Sequence, residues 1–509
     1  MKKFLVTLTV LLTQISNAHA SSFEEFAEKN IAPFTDAIAD FIFTPVNIFG
    51  AQVPAIILWI LGAGIFFTFY FRFIPFWGFK HSIEVICGKN ASGDDNGEVS
   101  SFQALATALS GTIGLGSIAG VAIAISIGGP GAAFWILVGS VFGMSLKFAE
   151  ASLAVMYRTF NSDGTISGGP MHYIAHGLTK KRHRKLGQFL SVVFAIVFMG
   201  GAFTGGNLIQ INQSTQQLVT VTGGENSIFA ASPWIVGVLV AFVVGLITIG
   251  GIKSIAKVTE KIVPFMCFLY IFTGLTVIAV NIHSIPDALM TIVREAFFPE
   301  SVVGGIFGTI IIGLRRSVQT NEAGTGSAPI VYATAKTKEP VSQGFVSLIE
   351  PFLTGLLCLL TAFIVTVTGT YHSNTAEVAG IEMVSASFEQ VAPFFPTILT
   401  CVVILFALST LISWAYYGQK CWNYLFGEGK KRSLTFQLLY CVVVVLGSVL
   451  NVKSVIYIVD AMMISTSVPN IIAIYILSPE IKNALKEYCK KYSIALKFNS
   501  VWYKEDTAK

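Results

Sequence analysis

Residues Ser101 to Gly128, SFQALATALSGTIGLGSIAGVAIAISIG, have the length and apolarity of a membrane span, yet Gly111, Gly114, Gly116 and Gly120 crowd the middle. Backbone groups freed at membrane depth are tolerated only where protein or a water-filled cavity satisfies them. The glycines therefore predict an interrupted helix held inside a bundle. A second such element runs from Val303 to Ala335, with Gly308, Gly313, Gly324 and Gly326 around a polar centre, RRSVQTNEAGTGS. Paired interrupted spans are the sequence pointer to the binding site of a secondary transporter.

The rest of the chain fits a membrane unit. Charged residues are 12% and hydrophobic ones 53%, against roughly 25% charged in soluble domains. The net charge of +5 does not imply nucleic acid, because the basic residues cluster between spans. Cys87, Cys267, Cys358, Cys401, Cys421, Cys441 and Cys489 are scattered, with neither metal-ligand spacing nor the look of a disulfide framework.

Lys2 and Lys3 precede the apolar run Phe4 to Leu12, and Ala18-His19-Ala20 is a small-x-small pattern before Ser21. This predicts a signal peptide over 1–20, with an uncleaved anchor as the alternative. Cleavage would leave 21–52 as an extracytoplasmic segment lying along the membrane surface. About eleven spans follow by length and hydropathy: 53–76, 101–127, 131–158, 187–221, 233–251, 260–281, 303–335, 342–369, 393–424, 433–450 and 454–477. With the N-terminus outside, Lys180, Lys181, Arg182, Arg184 and Lys185, then Lys253, Lys257 and Lys261, then Lys430, Lys431 and Arg432, all fall on the cytoplasmic side. So does the 478–509 tail with Lys482, Lys486, Lys490 and Lys491. Lys453 and Arg294 are the exceptions; the 370–391 loop carries Glu377, Glu382 and Glu389 without a basic residue. This is the positive-inside pattern.

With the first span set aside, the interrupted spans open two halves, 101–281 and 303–477. Five spans are an odd number, so the second half enters from the opposite face. The expected architecture is an inverted repeat with its site near the midplane.

A broken helix ends in free carbonyls and restarts with free amides. The carbonyl end suits a small cation; the amide end, at the positive pole of the dipole, suits a carboxylate. This predicts sodium on carbonyls near Ser110 and Ile113, and a substrate carboxylate on the amides near Gly114 to Gly116. The alternative is a glycine seam for tight helix packing. The hydroxyls of Ser409 and Thr410 can complete an oxygen shell for sodium, or bond back to their own helix. Trp414, one turn on, either caps a pocket or packs as a plain aromatic. In the fourth span, GGNLIQINQSTQQ, regular helical spacing puts Asn207, Gln210 and Ser214 on one face. These either meet the substrate or join helices. Lys147 and Glu150, three apart, are expected to pair, while Arg315, Arg316 and Glu322 flank the second break in a structural or gating role.

The runs SFQALATALSGTIGLGSIAGVA, GMSLKFAEASLAVMYR, GGPMHYI, GGIKSIAKVTEKIVPFM, NEAGTGSAPIVYATAKTKEPVSQG and WAYYGQKCWNYLFG resemble, in order over about residues 53–480, the alanine or glycine:cation symporter family. The resemblance implies an all-α integral membrane protein. Its core would be a LeuT-type five-plus-five inverted repeat preceded by one extra helix, 53–76. It also implies sodium-coupled uptake of a small neutral amino acid. Carried over residue by residue, Ser110, Ile113, Ser409 and Thr410 correspond to a sodium site. Gly114, Leu115, Gly116, Asn207, Gln210, Gln319, Thr320 and Trp414 correspond to the substrate side. Two departures stand out. Gly114-Leu115-Gly116-Ser117 replaces the usual Gly-Thr-Gly-Asn, and Gln319 replaces an aromatic in the second break.

The expectation is a multi-pass symporter of a bacterial inner membrane. It would carry alanine, glycine or a polar neutral amino acid such as glutamine or serine, with sodium as coupling ion and no other cofactor. A proton-coupled permease using Glu150 or Glu322 is the nearest alternative, and an ion channel on the same fold the next. No nucleophile-base arrangement or phosphate loop suggests an enzyme.

Overall fold

The computed structural model describes residues 37–492 apart from 38, 49–50, 89–96, 300–304, 373–379 and 451–455, together with Ile494. The expected signal segment, most of 21–52 and Lys453 lie outside the described residues. The chain is almost wholly helical. A hairpin, β1 (Pro45–Ile48) and β2 (Ala51–Pro54), leads into α1 (Ala55–Tyr70). The first interrupted element is α2 (Ser101–Thr112) and α3 (Ala119–Gly128). Then come α4 (Ala132–Met156), α5 (Pro170–Lys180), α6 (Arg184–Phe203), α7 (Ile209–Val221), α8 (Trp234–Ile249) and α9 (Gly251–Val280). Next, α10 (Ile285–Phe297) is followed by α11 (Gly305–Asn321), α12 (Pro340–Ser347) and α13 (Ile349–Val367). The series ends with α14 (Ile381–Glu389), α15 (Phe395–Phe426), α16 (Lys430–Val449), α17 (Ile456–Ser465) and α18 (Ser467–Lys491).

Among the described residues, 7 helices are long and apolar enough to cross a membrane, or 8 if the bent α2–α3 pair is one span. Helices α1 and α8 are apolar but shorter. Parts of two segments read as loops, 282–302 and 370–391, are helical, as α10 and α14. Helix α10 is strongly amphipathic, as a helix lying along a boundary rather than across it should be. The span read over 187–221 is not one regular helix. It contains a π-helical turn, Thr204–Leu208, between α6 and α7.

Small residues set the closest approaches. A Cβ on Gly313 of α11 would lie 2.6 Å from both the Ala132 carbonyl oxygen and Trp135 Cβ of α4. One on Gly139 would lie 2.7 Å from Ser317 Oγ. Glycine lets these backbones meet closely, as membrane helix pairs commonly do. Helix α11 also packs directly on α3, where a Cβ on Gly128 would lie 2.9 Å from Ile312 Cγ2. The segments flanking the breaks also meet, because Lys336 N donates to the Val99 carbonyl at 2.8 Å and Glu98 N to that of Thr334 at 2.8 Å. Helix α2 then starts on a capping box, Ser100 with Gln103.

Candidate functional site

The α2 helix ends at Thr112 and a 3₁₀ turn, Leu115–Ser117, follows before α3. The two halves are bent by 62°. Gly114 leaves the helix in extended backbone, φ −115°, ψ −164°. The break is buried, and side chains from other helices supply its partners.

Helix α15 supplies most of them. Thr410 Oγ1 donates to the Ser110 carbonyl at 3.0 Å, and Ser409 Oγ to the same oxygen at 3.5 Å. Ser409 also bonds back to the Phe406 carbonyl at 2.9 Å, along its own helix. Ser413, one turn on, meets the Ser110 hydroxyl and donates to the Thr107 carbonyl at 3.0 Å. Tyr417 reaches that carbonyl at 3.3 Å. Trp414 Nε1 donates to the Gly111 carbonyl at 3.1 Å, and its ring stacks on Phe198 at 5.1 Å. Trp414 is thus a packed aromatic in contact with the first break. The oxygens gathered here are neutral and hard, as a monovalent alkali cation requires. Among the described residues no three His, Cys, Asp or Glu side chains cluster as a metal site.

On the restart side, Gln210 Oε1 accepts from Leu115 N at 3.2 Å. Gln210 Nε2 donates to the Gly205 carbonyl, inside the π turn, at 3.3 Å. A Cβ on Gly114 would lie 2.9 Å from Thr410 Oγ1 and 3.1 Å from Gln210 Oε1, whereas one on Gly116 would meet nothing nearer than Thr320 Cγ2 at 3.9 Å. Gly116 is therefore the roomier of the two, and its side is where a ligand can approach the backbone. Thr361 of α13 holds the Ser117 carbonyl at 2.9 Å.

Asn207 does not share this placement. Its amide donates to the Tyr440 carbonyl of α16 at 3.0 Å, and its buried Oδ1 has no partner among the described residues. Regular spacing had put Asn207, Gln210 and Ser214 on one face. The π turn adds a residue to the turn that carries Asn207, so that register fails. Ser214 bonds back to the Gln210 carbonyl at 2.7 Å. Thr320 also bonds back along α11, to Arg316 and Ser317. Gln319 is half-buried, and its Nε2 has no partner among the described residues.

The expected Lys147–Glu150 pair is not formed. Lys147 Nζ lies 2.8 Å from Glu350 Oε1 of α13, while Glu150 takes the Asn470 amide of α18. A tertiary partner at full burial outcompetes the neighbour one turn away. Glu350, Thr361, Ser413 and Tyr417 were all missed from sequence. Only Ser413 carried a signal, its i+4 spacing from Ser409.

An apolar helical bundle whose first interrupted helix is buried, with neutral side-chain oxygens and amides from other helices gathered at the break, is the architecture of a secondary transporter. The fold agrees with a crystal structure of MhsT in complex with L-phenylalanine, at a TM-score of 0.52 over 75% of this chain and 89% of that one. At 14% identity that likeness is one of fold, LeuT-type.

The chain belongs to the sodium:alanine symporter family, whose profile it matches over residues 36–499. It is 37% identical to the sodium/alanine symporter AgcS of Methanococcus maripaludis, over 86% of this chain and 94% of that protein. It is 34% identical to the probable sodium/glutamine symporter GlnT of Bacillus subtilis, over 86% and 88%. It is thus a membrane transporter and not an enzyme, and its family implies sodium as the coupling ion.

Proposed function

We propose that this protein carries a small neutral amino acid into the cell with sodium, by alternating access. One observation carries the reading: Thr410 and Ser409 of α15 converge on the Ser110 carbonyl, at the end of the first half of a broken helix. Sodium is held by the Ser110 and Ile113 carbonyls with the Ser409 and Thr410 hydroxyls. The substrate carboxylate lies on the amides at Gly114, Leu115 and Gly116, with Gln210 fixing the turn. Trp414, Gln319 and Thr320 border the pocket. Asn207 orients the π turn from the α16 side.

The names of two relatives, one for alanine and one for glutamine, support a neutral substrate of either size. The inverted repeat and the count of about eleven spans belong to the same proposal. So do an inner-membrane location, an N-terminus outside and a C-terminal tail inside.

Uptake of radiolabelled alanine into proteoliposomes, competed by a panel of amino acids with and without sodium, is the test. Sodium-dependent, saturable uptake blocked by neutral amino acids is expected. Uptake driven by a proton gradient alone would favour the permease, and unsaturable sodium current the channel. Cysteines placed in the tail should react only after cells are permeabilised.

A further inference from the structure

Glu350 and Lys147 sit on facing helices, α13 and α4, each with side-chain exposure of 0%. An ion pair is a poor source of stability at such depth, because desolvation offsets most of its attraction. What distinguishes this pair is which further groups it binds. Glu350 Oε1 accepts from Lys147 Nζ at 2.8 Å and also from Thr112 Oγ1 at 2.6 Å. Thr112 is the last residue of α2 before the first break. The other oxygen, Oε2, accepts from Tyr332 OH at 3.0 Å. Tyr332 closes the short helical turn Pro329–Tyr332, just past the second break. One carboxylate thus holds both interrupted elements, and Lys147 is its counter-ion.

The same helix grips the first element again beyond its break. Thr361, three turns further along α13, holds the Ser117 carbonyl at 2.9 Å, and the Tyr270 hydroxyl of α9 lies 2.6 Å from Thr361 Oγ1. Glu350 and Thr361 therefore bracket the segment 112–117 from a single regular helix. The bend between α2 and α3 is set by two fixed points on α13.

We propose that Glu350, paired with Lys147, is the positioning residue that splints the two interrupted helices and so sets the geometry of the ion and substrate site. It touches neither ligand. It acts through Thr112, two residues from the Ser110 carbonyl, and through Tyr332. The inference rests on the symport reading above for its assay but not for its geometry.

Thr112→Val and Tyr332→Phe each remove one hydroxyl from Glu350 and leave the buried ion pair intact. Both should give wild-type yield and a near-wild-type melting temperature in detergent. Thr112→Val should raise the sodium concentration for half-maximal uptake by about tenfold, the scale of one lost hydrogen bond to a charged group. Tyr332→Phe should act in the same direction and more weakly. If both hydroxyls act through Glu350, Thr112→Val should add little in a Glu350→Gln background. Unchanged sodium and amino-acid KM in both single variants would overturn the proposal, and so would simple additivity with Glu350→Gln. If the wild type transports without sodium, the symport reading fails. The splint is then read from amino-acid KM and kcat, where Thr112→Val should still raise KM at unchanged melting temperature; an unchanged KM there would overturn it.

Discussion

The two interrupted helices solve one problem in opposite ways. The first is held from outside. Its carbonyls at Ser110, Gly111 and Ser117 are met by Thr410, Trp414 and Thr361, and its Leu115 amide by Gln210. The second is wound on itself. Glu322 takes a left-handed φ of 51°, followed by Gly324 at 87° and Gly326 at 83°. Ala323 N donates to Asn321 Oδ1 at 2.9 Å, Thr325 Oγ1 to the Glu322 carbonyl at 2.7 Å, and Ser327 Oγ to the Glu322 carboxylate. From outside, Asn470 adds a bond to the Gly324 carbonyl at 2.8 Å. A break whose partners sit on other helices can exchange them for a ligand. A break that satisfies itself, in a conformation non-glycine residues seldom adopt, is a fixed joint. Under the symport proposal the first break is the binding element and the second the scaffold against which it is placed.

That contrast is most exposed to a pair of alanines. At Gly114 the backbone tolerates a side chain, but the added Cβ would press on Thr410 Oγ1 and Gln210 Oε1 at 2.9 and 3.1 Å. Gly114→Ala should fold normally and lose about a hundredfold in uptake rate, the cost of displacing site groups by about 1 Å. At Gly324 the φ of +87° is itself hostile, and the Cβ would meet Leu146 Cδ2 at 2.9 Å. Gly324→Ala should lose folded protein first, by about 1–3 kcal/mol, while molecules that survive transport near normally. Melting curves and uptake per folded molecule separate the two. The reverse pattern would exchange the roles assigned to the two breaks.

A smaller effect sharpens the ion side of the first break. Thr410→Val keeps shape and removes the hydroxyl on Ser110. It should raise the sodium needed for half-maximal uptake by about tenfold, with Ser409→Ala milder because Ser409 also bonds along its own helix. Unchanged sodium dependence in both variants would take this pair out of the ion site.

Much of this contrast is legible in the sequence. Glycine spacing located both breaks, because only glycine combines apolar length with freed backbone, and the Ser409–Thr410 pair announced its oxygens. What stayed hidden was tertiary choice. Lys147 had Glu150 in reach by helical spacing, yet chose Glu350, more than two hundred residues away, because packing of α4 on α13 buries both completely. Asn207 was misplaced because a π turn leaves no mark beyond Gly205-Gly206, where a side chain on Gly206 would collide with the Trp414 ring. Helical spacing assumes 3.6 residues per turn, and one wide turn rotates everything before it.

The smallest expected effect tests whether the second break contributes to specificity at all. Its polar centre carries Gln319, where the family resemblance implies an aromatic. The Gln319 amide is half-buried, and its Nε2 has no partner among the described residues. A buried donor left unsatisfied costs about 1–3 kcal/mol, so it gains from any ligand group that pairs with it. A site built on such a group rejects analogues that lack the matching one. Substrates with a polar neutral side chain, glutamine, asparagine or serine, should therefore compete for uptake at least as well as alanine. Gln319→Phe should shift the ratio of kcat/KM toward alanine and glycine by a few-fold, on the scale of one neutral hydrogen bond. It should leave sodium dependence untouched, since the ion lies at the first break. If alanine dominates in the wild type and Gln319→Phe leaves the preference order intact, the second break is scaffold only, and the division between the two helices is sharper than drawn here.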